Sequence, residues 1–241
     1  MKTFPATAIL AVLLAAVPAF AAAETPKAPA TPPPAGVPDP SLIPVPDVPG
    51  LPRVLLLGDS ISMGYTIPVR ENLAGRANVH RPAENCLQTA RGLVNLDRWL
   101  GDGHWDVIHF NFGLHDLKYL DANRKYVTPD KGKQVATPDE YEKNLREMVA
   151  RLKKTGAKLI FATTTPVPSG CDGRVQGDEV KFNEAALRVM RESGVAVDDL
   201  CAYTVRHPEI QLPHNVHFSP QGYKELAALV TKDILAALPP R

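Results

Sequence analysis

The 241-residue chain has almost no net charge: 27 Lys and Arg stand against 26 Asp and Glu, a balance of +1 with neutral histidines. Without a global positive field, and with no basic stripe interleaved with aromatics, nothing gathers a phosphate backbone, and nucleic acid is set aside as a partner. Metal-ligand spacings are missing too. Neither Cys-x-x-Cys nor His-x-x-x-His occurs, so the sequence asks for no metal and no other cofactor. Cysteine is scarce. Cys86, Cys171 and Cys201 make an odd set, which leaves at least one thiol unpaired within the chain whatever disulfide forms. The one extended apolar run lies at the start of the chain, so no membrane span is expected in the mature protein.

That first run reads as an address. Lys2 precedes an alanine-rich apolar stretch, Ala6 to Ala23, interrupted by Pro18 and ending in Ala19-Phe20-Ala21 and Ala21-Ala22-Ala23. A basic start, a short apolar centre and an A-x-A site describe a secretory signal peptide over residues 1–23, with cleavage after Ala23 or Ala21; a retained N-terminal anchor is the alternative. The expected location is therefore secreted or periplasmic, where a disulfide is permitted. Residues 24–50 come next as a Pro/Ala-rich linker carrying Thr31-Pro32-Pro33-Pro34 and Pro44-Val45-Pro46. They have no helical or strand period, so an extended spacer that adds little to the fold is expected, with a docking peptide as the other reading. Residues 51–241 are long enough for one domain with a substantial core.

Within that domain Val54-Leu55-Leu56-Leu57 is an unbroken apolar run ending at Gly58-Asp59-Ser60. Such a run suits a strand buried on both faces of a parallel sheet. Helical spacing appears at Tyr65, Val69 and Leu73, then a short strand near Ala77–His80. A polar loop runs to Thr89, and a helix with Leu93, Leu96 and Leu100 stops at Gly101. A second buried strand spans Trp105–Phe112 and ends at Gly113-Leu114-His115-Asp116. The stretch from Leu117 to Ala136 has no convincing period; its five basic residues against two acidic ones read as solvated surface charge, or as a cationic rim or lid. Thr137-Pro138-Asp139-Glu140 is a capping box opening a helix. Strands at Leu159–Thr163 and Val195–Val197, a helix from Asp178 to Arg191 and a final helix after Ser219-Pro220 complete an alternating order. Alternation implies an α/β fold: three layers, with a doubly wound, parallel, five-stranded sheet of flavodoxin-like order 2-1-3-4-5. Ser60 and His115 would then lie side by side at the switch point, within reach of the loop before the last helix.

A serine at such an edge becomes a nucleophile when a histidine takes its proton and fixed donors face the resulting oxyanion. Ser60 and His217 are the candidates for attack and base, with the Ser60 N–H and the His115 side chain as donors. Asp59 also suits a helix cap. His80, His104, His109 and His207 sit at less suggestive places and are assigned structural roles.

Three blocks in order, Gly58-Asp59-Ser60, Gly113-Leu114-His115-Asp116 and His217-Phe218-Ser219-Pro220-Gln221-Gly222-Tyr223, resemble the SGNH/GDSL hydrolases over about residues 53–237. The resemblance implies a serine esterase with Ser60 as nucleophile and His217 as base; Asp59, Gly113, Asp116 and Asn215 are expected to support the site. Three departures stand out. His115 replaces the family's oxyanion-hole asparagine. The loop Asn85–Thr89 lacks the glycine that supplies a third donor, leaving a backbone N–H near Leu87 or Gln88 for that role. His214 occupies the place of the triad acid, so a Ser60–His217 dyad oriented by a backbone carbonyl is expected. Implied substrates are short-chain acyl esters, including carbohydrate O-acetyl groups. An O-acyltransferase and an inactive carbohydrate-binding protein on the same fold are the alternatives.

Overall fold

The computed structural model describes Met1 and residues 38–239; the rest of the expected signal peptide and residues 24–37 of the linker lie outside the described residues. The domain is built on a parallel sheet of five strands. β1 (Arg53–Leu57), β2 (Asn78–His80), β3 (Val107–Phe110), β6 (Lys158–Ala162) and β7 (Ala196–Asp198) are ordered β2-β1-β3-β6-β7. This is the doubly wound order expected from the alternation. Val54 to Leu57 are almost fully buried, as a strand covered on both faces must be. Each such side chain contributes on the order of 2 kcal/mol through lost apolar surface. Leu57 pairs with Phe110 and Phe110 with Phe161, so three chains leave the same sheet edge side by side.

The helices are α1 (Ser60–Asn72), α2 (Thr89–Leu100), α3 (Pro138–Lys153), α4 (Glu179–Ser193), α5 (Leu200–Arg206) and α6 (Pro220–Ala237). α1 packs on α6, and α3 on α4 and α2. Tyr65, Val69 and Leu73 are all buried, in keeping with their four-residue spacing. The capping box is present: Thr137 Oγ1 accepts from the Glu140 N–H, and Glu140 accepts from the Thr137 N–H at 2.8 Å. Gly194 ends α4 in the left-handed conformation, the usual use of glycine at a helix stop.

Two expectations are corrected. The aperiodic stretch after Leu117 contains a small antiparallel pair, β4 (Tyr119–Leu120) with β5 (Lys133–Gln134). Asp121 Oδ1 organises the turn between them by accepting from the Asn123 and Lys125 N–H groups, each at 2.8 Å. Strands of two residues are too short for a period-2 pattern to show. The end of the linker also does more than space. Pro40–Leu42 forms a 3-10 turn against α1 with Ser41 buried. Asn78 Oδ1 accepts from the Val48 N–H at 2.8 Å, and its Nδ2 donates to the carbonyls of Val48 and Leu51 at 3.0 and 3.2 Å. Asp47 meets His80 at 2.6 Å and Arg53 at 3.1 Å. The folded unit therefore takes in residues from Asp39 onward. Its docking uses single polar anchors rather than an apolar face, which is why periodicity could not reveal it.

Asn78→Ala removes those three bonds and leaves backbone groups of the docked segment unpaired. It should cost ~2 kcal/mol, a fall in Tm of ~4–8 °C. Thermal denaturation beside wild type checks this; an unchanged Tm would mean that the segment adds no stability.

Candidate active site

β1 ends at Gly58, where a Cβ would strike the Asn111 side chain. Asp59 caps α1: Oδ1 accepts from the Ile61 N–H at 2.9 Å, and its main-chain oxygen accepts from Ser62 Oγ at 2.9 Å. Ser60, the first residue of the helix, is half-buried with its backbone in the helix's first turn. Asp59 is wholly buried; burial raises its carboxyl pKa, opposed by the bonds from Ile61 and Asn111. Beneath the turn lies Arg81, also buried. Its guanidinium donates to Ser62 Oγ and Thr66 Oγ1, both at 3.1 Å, and to the Gly58 carbonyl at 3.3 Å.

His217 comes from the loop ahead of α6, which Ser219 caps by accepting from the Gly222 N–H. His217 Nε2 lies 2.8 Å from Ser60 Oγ. Asn215 Oδ1 accepts from the His217 backbone N–H at 3.0 Å and lies 2.8 Å from His217 Nδ1. Because a backbone N–H can only donate, the amide end facing it is the oxygen. Nδ1 therefore carries the ring proton, and Nε2 offers its lone pair to the serine hydroxyl. This corrects the expectation of a backbone carbonyl as the orienting partner: a side-chain amide does it. His214, where the acid was looked for, turns instead to the Ser169 carbonyl at 2.8 Å, in a left-handed conformation with φ 55°. Burial, with Arg174 adding to it, lowers the pKa of His217.

Gly113 adopts φ 149°, and a Cβ there would strike Thr164. The loop it opens places His115 in the same cavity as Ser60 and His217. His115 Nδ1 lies 3.0 Å from Lys118 Nζ, which can only donate. The neutral ring must then hold its proton on Nε2, as an N–H donor. Burial and the charges of Lys118 and Arg174 push the His115 pKa down to about 3, so the ring is neutral at ordinary pH. Asp116 works elsewhere. It accepts from the Thr89 hydroxyl and from the Thr89 N–H at 3.0 Å, tying this loop to the start of α2. Asn144 Nδ2 donates to the same Thr89 hydroxyl at 3.0 Å. Burial raises the Asp116 pKa to about 7 against those bonds.

The loop before α2 meets the site through a different residue from the one expected. Gln88 occupies the cap position of α2 and is not among the residues lining the cavity, whereas Asn85 is. Asn85 Oδ1 accepts from the Leu87 N–H at 3.0 Å, and Leu87 takes φ 56°. The left-handed turn that a glycine would favour is thus present on a leucine.

The cavity holds about 320 Å³, and its walls include Arg174, Tyr126 and Cys171 beside the residues above. Arg174 and Arg81 were missed from sequence. The only signal was position, since both lie in loops leaving the carboxyl ends of parallel strands. His80, His104, His109 and His207 line no part of the cavity; His109 is buried 3.1 Å from Asp198. All three cysteines are free thiols. Among the described residues no three His, Cys, Asp or Glu side chains converge as a metal site, and no helix is long and apolar enough to cross a membrane.

A serine hydroxyl bonded to a histidine at the carboxyl edge of a doubly wound parallel sheet defines an α/β hydrolytic architecture. The chain belongs to the GDSL-like lipase/acylhydrolase family, whose profile matches residues 56–225; it is an ester-bond hydrolase of that family. Among solved structures it is similar to the lipase/acylhydrolase from Enterococcus faecalis, at 22% identity and TM-score 0.63 over 79% of this chain and 99% of that one. It is also similar to Axe2, an acetylxylan esterase from Geobacillus stearothermophilus, at 16% identity and TM-score 0.60 over 79% and 95%. The acetyl xylan esterase AlAXEase aligns at 16% identity and TM-score 0.59 over 76% and 99%. At these identities the likeness is one of fold. No protein of curated function matches the chain.

A histidine serves as a base only as the neutral ring, so the lowered His217 pKa would extend such a role toward acid. kcat/KM for an ester should rise with pH along one acid limb with a midpoint below the ordinary 6.5 of histidine and stay level above it. A pH–rate profile from 4 to 9 on folded protein checks this; a midpoint above 7 would show the His217 proton stabilised instead of disfavoured.

Proposed function

We propose that the protein is an exported serine esterase that hydrolyses short-chain acyl esters, O-acetyl groups on carbohydrate among them, through an acyl-enzyme on Ser60. The observation that carries this reading is the chain of hydrogen bonds from Ser60 Oγ through His217 to Asn215 Oδ1. His217 Nε2 takes the hydroxyl proton as Oγ adds to the ester carbonyl, and the carbonyl oxygen gains the negative charge. The Ser60 N–H and His115 Nε2–H are the donors assigned to it. His217 then returns the proton to the departing alcohol oxygen. A water molecule, deprotonated by the same nitrogen, adds to the acyl carbon and releases the acid and the free serine.

The polar walls of the cavity support short acyl groups, since a long chain would need apolar surface along its length. Two of the similar structures are acetylxylan esterases, and the N-terminal segment reads as an export signal; both favour a carbohydrate ester. A fluorophosphonate probe and p-nitrophenyl acetate test the reading together. Labelling and turnover should both vanish in Ser60→Ala. Turnover that survives this change would remove Ser60 from the mechanism, and acyl transfer seen only when a glycan is added would identify a transferase.

Asn215 gives a second test. An amide that turns its NH₂ toward the catalytic histidine enforces the wrong tautomer and costs ~10⁴ in kcat. Here the backbone N–H of His217 pins the amide oxygen toward the ring, so the asparagine is productive. Asn215→Ala should lower kcat by ~10²-fold, because the ring loses its orienting bond. Asn215→Asp should match or exceed wild type, because a carboxylate accepts the same two bonds and adds charge opposite the imidazolium. Equal loss in both variants would show that Asn215 supports only the loop.

His115→Ala should lower kcat by ~10²–10³-fold with a smaller change in KM, the usual result of deleting one oxyanion donor. His115→Asn restores an N–H donor and should recover much of the loss. Wild-type kcat in both would remove His115 from the oxyanion hole.

A further inference from the structure

Arg174 stands in the wall of the cavity that holds Ser60 and His217, and part of its donor capacity is unused. Lys118 Nζ lies 5.1 Å and the Arg174 guanidinium carbon 5.6 Å from the centre of the Tyr126 ring. Arg174 is half-buried. Its Nε donates to the Leu114 carbonyl at 3.0 Å, and Nη1 points to the Asp172 carbonyl at a long 3.4 Å. Among the described residues its Nη2 has no hydrogen-bond partner, and no carboxylate lies within ion-pair distance of Arg174 or Lys118. The carboxylate-bearing residue in the cavity wall is Asp172, which is exposed and meets Arg174 through its backbone alone. Asp59 lies behind the serine, fully buried and committed to capping α1.

A guanidinium anchored at Nε to a backbone carbonyl is already oriented, so little further ordering is needed to bind an oxyanion at its free end. The anchoring carbonyl belongs to Leu114, next to His115, so the cation is fixed relative to the oxyanion donor.

We infer that Arg174 binds an anionic group of the substrate, so that the preferred ester carries a carboxylate or sulfate close to the scissile bond. An O-acetylated acidic sugar has this chemistry. The inference rests on the esterase reading and assigns a specificity-determining role to a residue outside the Ser60–His217–Asn215 chain. Arg174 also braces the loop of His115, and the test must separate the two roles.

The test compares 4-acetoxybenzoate and 4-acetoxybenzenesulfonate with the neutral methyl 4-acetoxybenzoate, using wild type, Arg174→Gln and Arg174→Lys. Taking each anionic-to-neutral ratio of kcat/KM relative to that of Arg174→Gln cancels the intrinsic reactivities of the esters. Arg174→Gln should lower the ratio by about tenfold or more, mainly through KM, and Arg174→Lys should keep part of it. Raising the salt to about 0.5 M should shrink the wild-type ratio, as expected for a partly exposed charge. The better of the two anions shows whether carboxylate or sulfate is the natural group. A ratio that Arg174→Gln leaves unchanged, or an equal loss of kcat on all three esters, would overturn the inference and leave Arg174 as a brace. If no ester is turned over, the esterase reading fails separately. Calorimetric binding of 4-acetoxybenzoate to Ser60→Ala, lost on adding Arg174→Gln, would then still support the anion site, and no binding to either would overturn it.

Discussion

The parallel pairing of β1 with β3 is the constraint on which the rest of the molecule depends. Leu57 and Phe110 stand in register, and the Asn111 N–H continues the ladder to the Leu57 carbonyl at 2.9 Å. The two strands therefore stop together. β1 leads directly into Gly58-Asp59-Ser60, and β3 leads through Asn111 and Phe112 into Gly113-Leu114-His115. Ser60 and the loop of His115 are brought to one edge by this backbone pairing. Glycine at 58 and 113 lets the chains turn there without a Cβ striking Asn111 or Thr164.

Three long-range polar contacts hold the loops of that edge. Arg81 donates to the Gly58 carbonyl below the serine, and Arg174 donates to the Leu114 carbonyl beside His115. Asp116 receives both donors of Thr89 at the start of α2. Each joins segments distant in the chain, and each uses a charged group in a buried or half-buried setting. A bond to a charged group contributes more than a neutral one, yet removing one partner leaves the other stranded. These contacts tie the loops of that edge to distant segments, and the burial they require raises the pKa values of Asp59 and Asp116.

The tautomers of the two site histidines obey the same donor logic. Asn215 Oδ1 faces His217 Nδ1 and leaves Nε2 free to accept, while Lys118 faces His115 Nδ1 and leaves the proton on Nε2. One ring presents an acceptor nitrogen to the cavity and the other an N–H donor, although both are neutral. The difference lies wholly in which neighbour meets Nδ1.

The strand order, the five-stranded parallel sheet, and the places of Ser60 and His217 could be read from the residues alone. An unbroken apolar run, a capping box and a Gly-Asp-Ser turn are local patterns, and local patterns need only neighbouring residues to be recognised. The bond from Asn215 to the His217 ring, the roles of Arg81 and Arg174, and the docking of Val48 and Leu51 on Asn78 had no such signal. Leu87 shows the same limit: its φ of 56° completes a turn for which the sequence offers no glycine. Polar side chains that act across loops have no periodicity, because their partners are chosen by the closed fold and not by spacing along the chain. The sequence by itself determined the sheet and the two residues that make the central hydrogen bond. Only the tertiary structure decided that the Asn215 amide meets the histidine ring and that Arg174 faces the cavity, because those contacts exist only once the strands lie side by side.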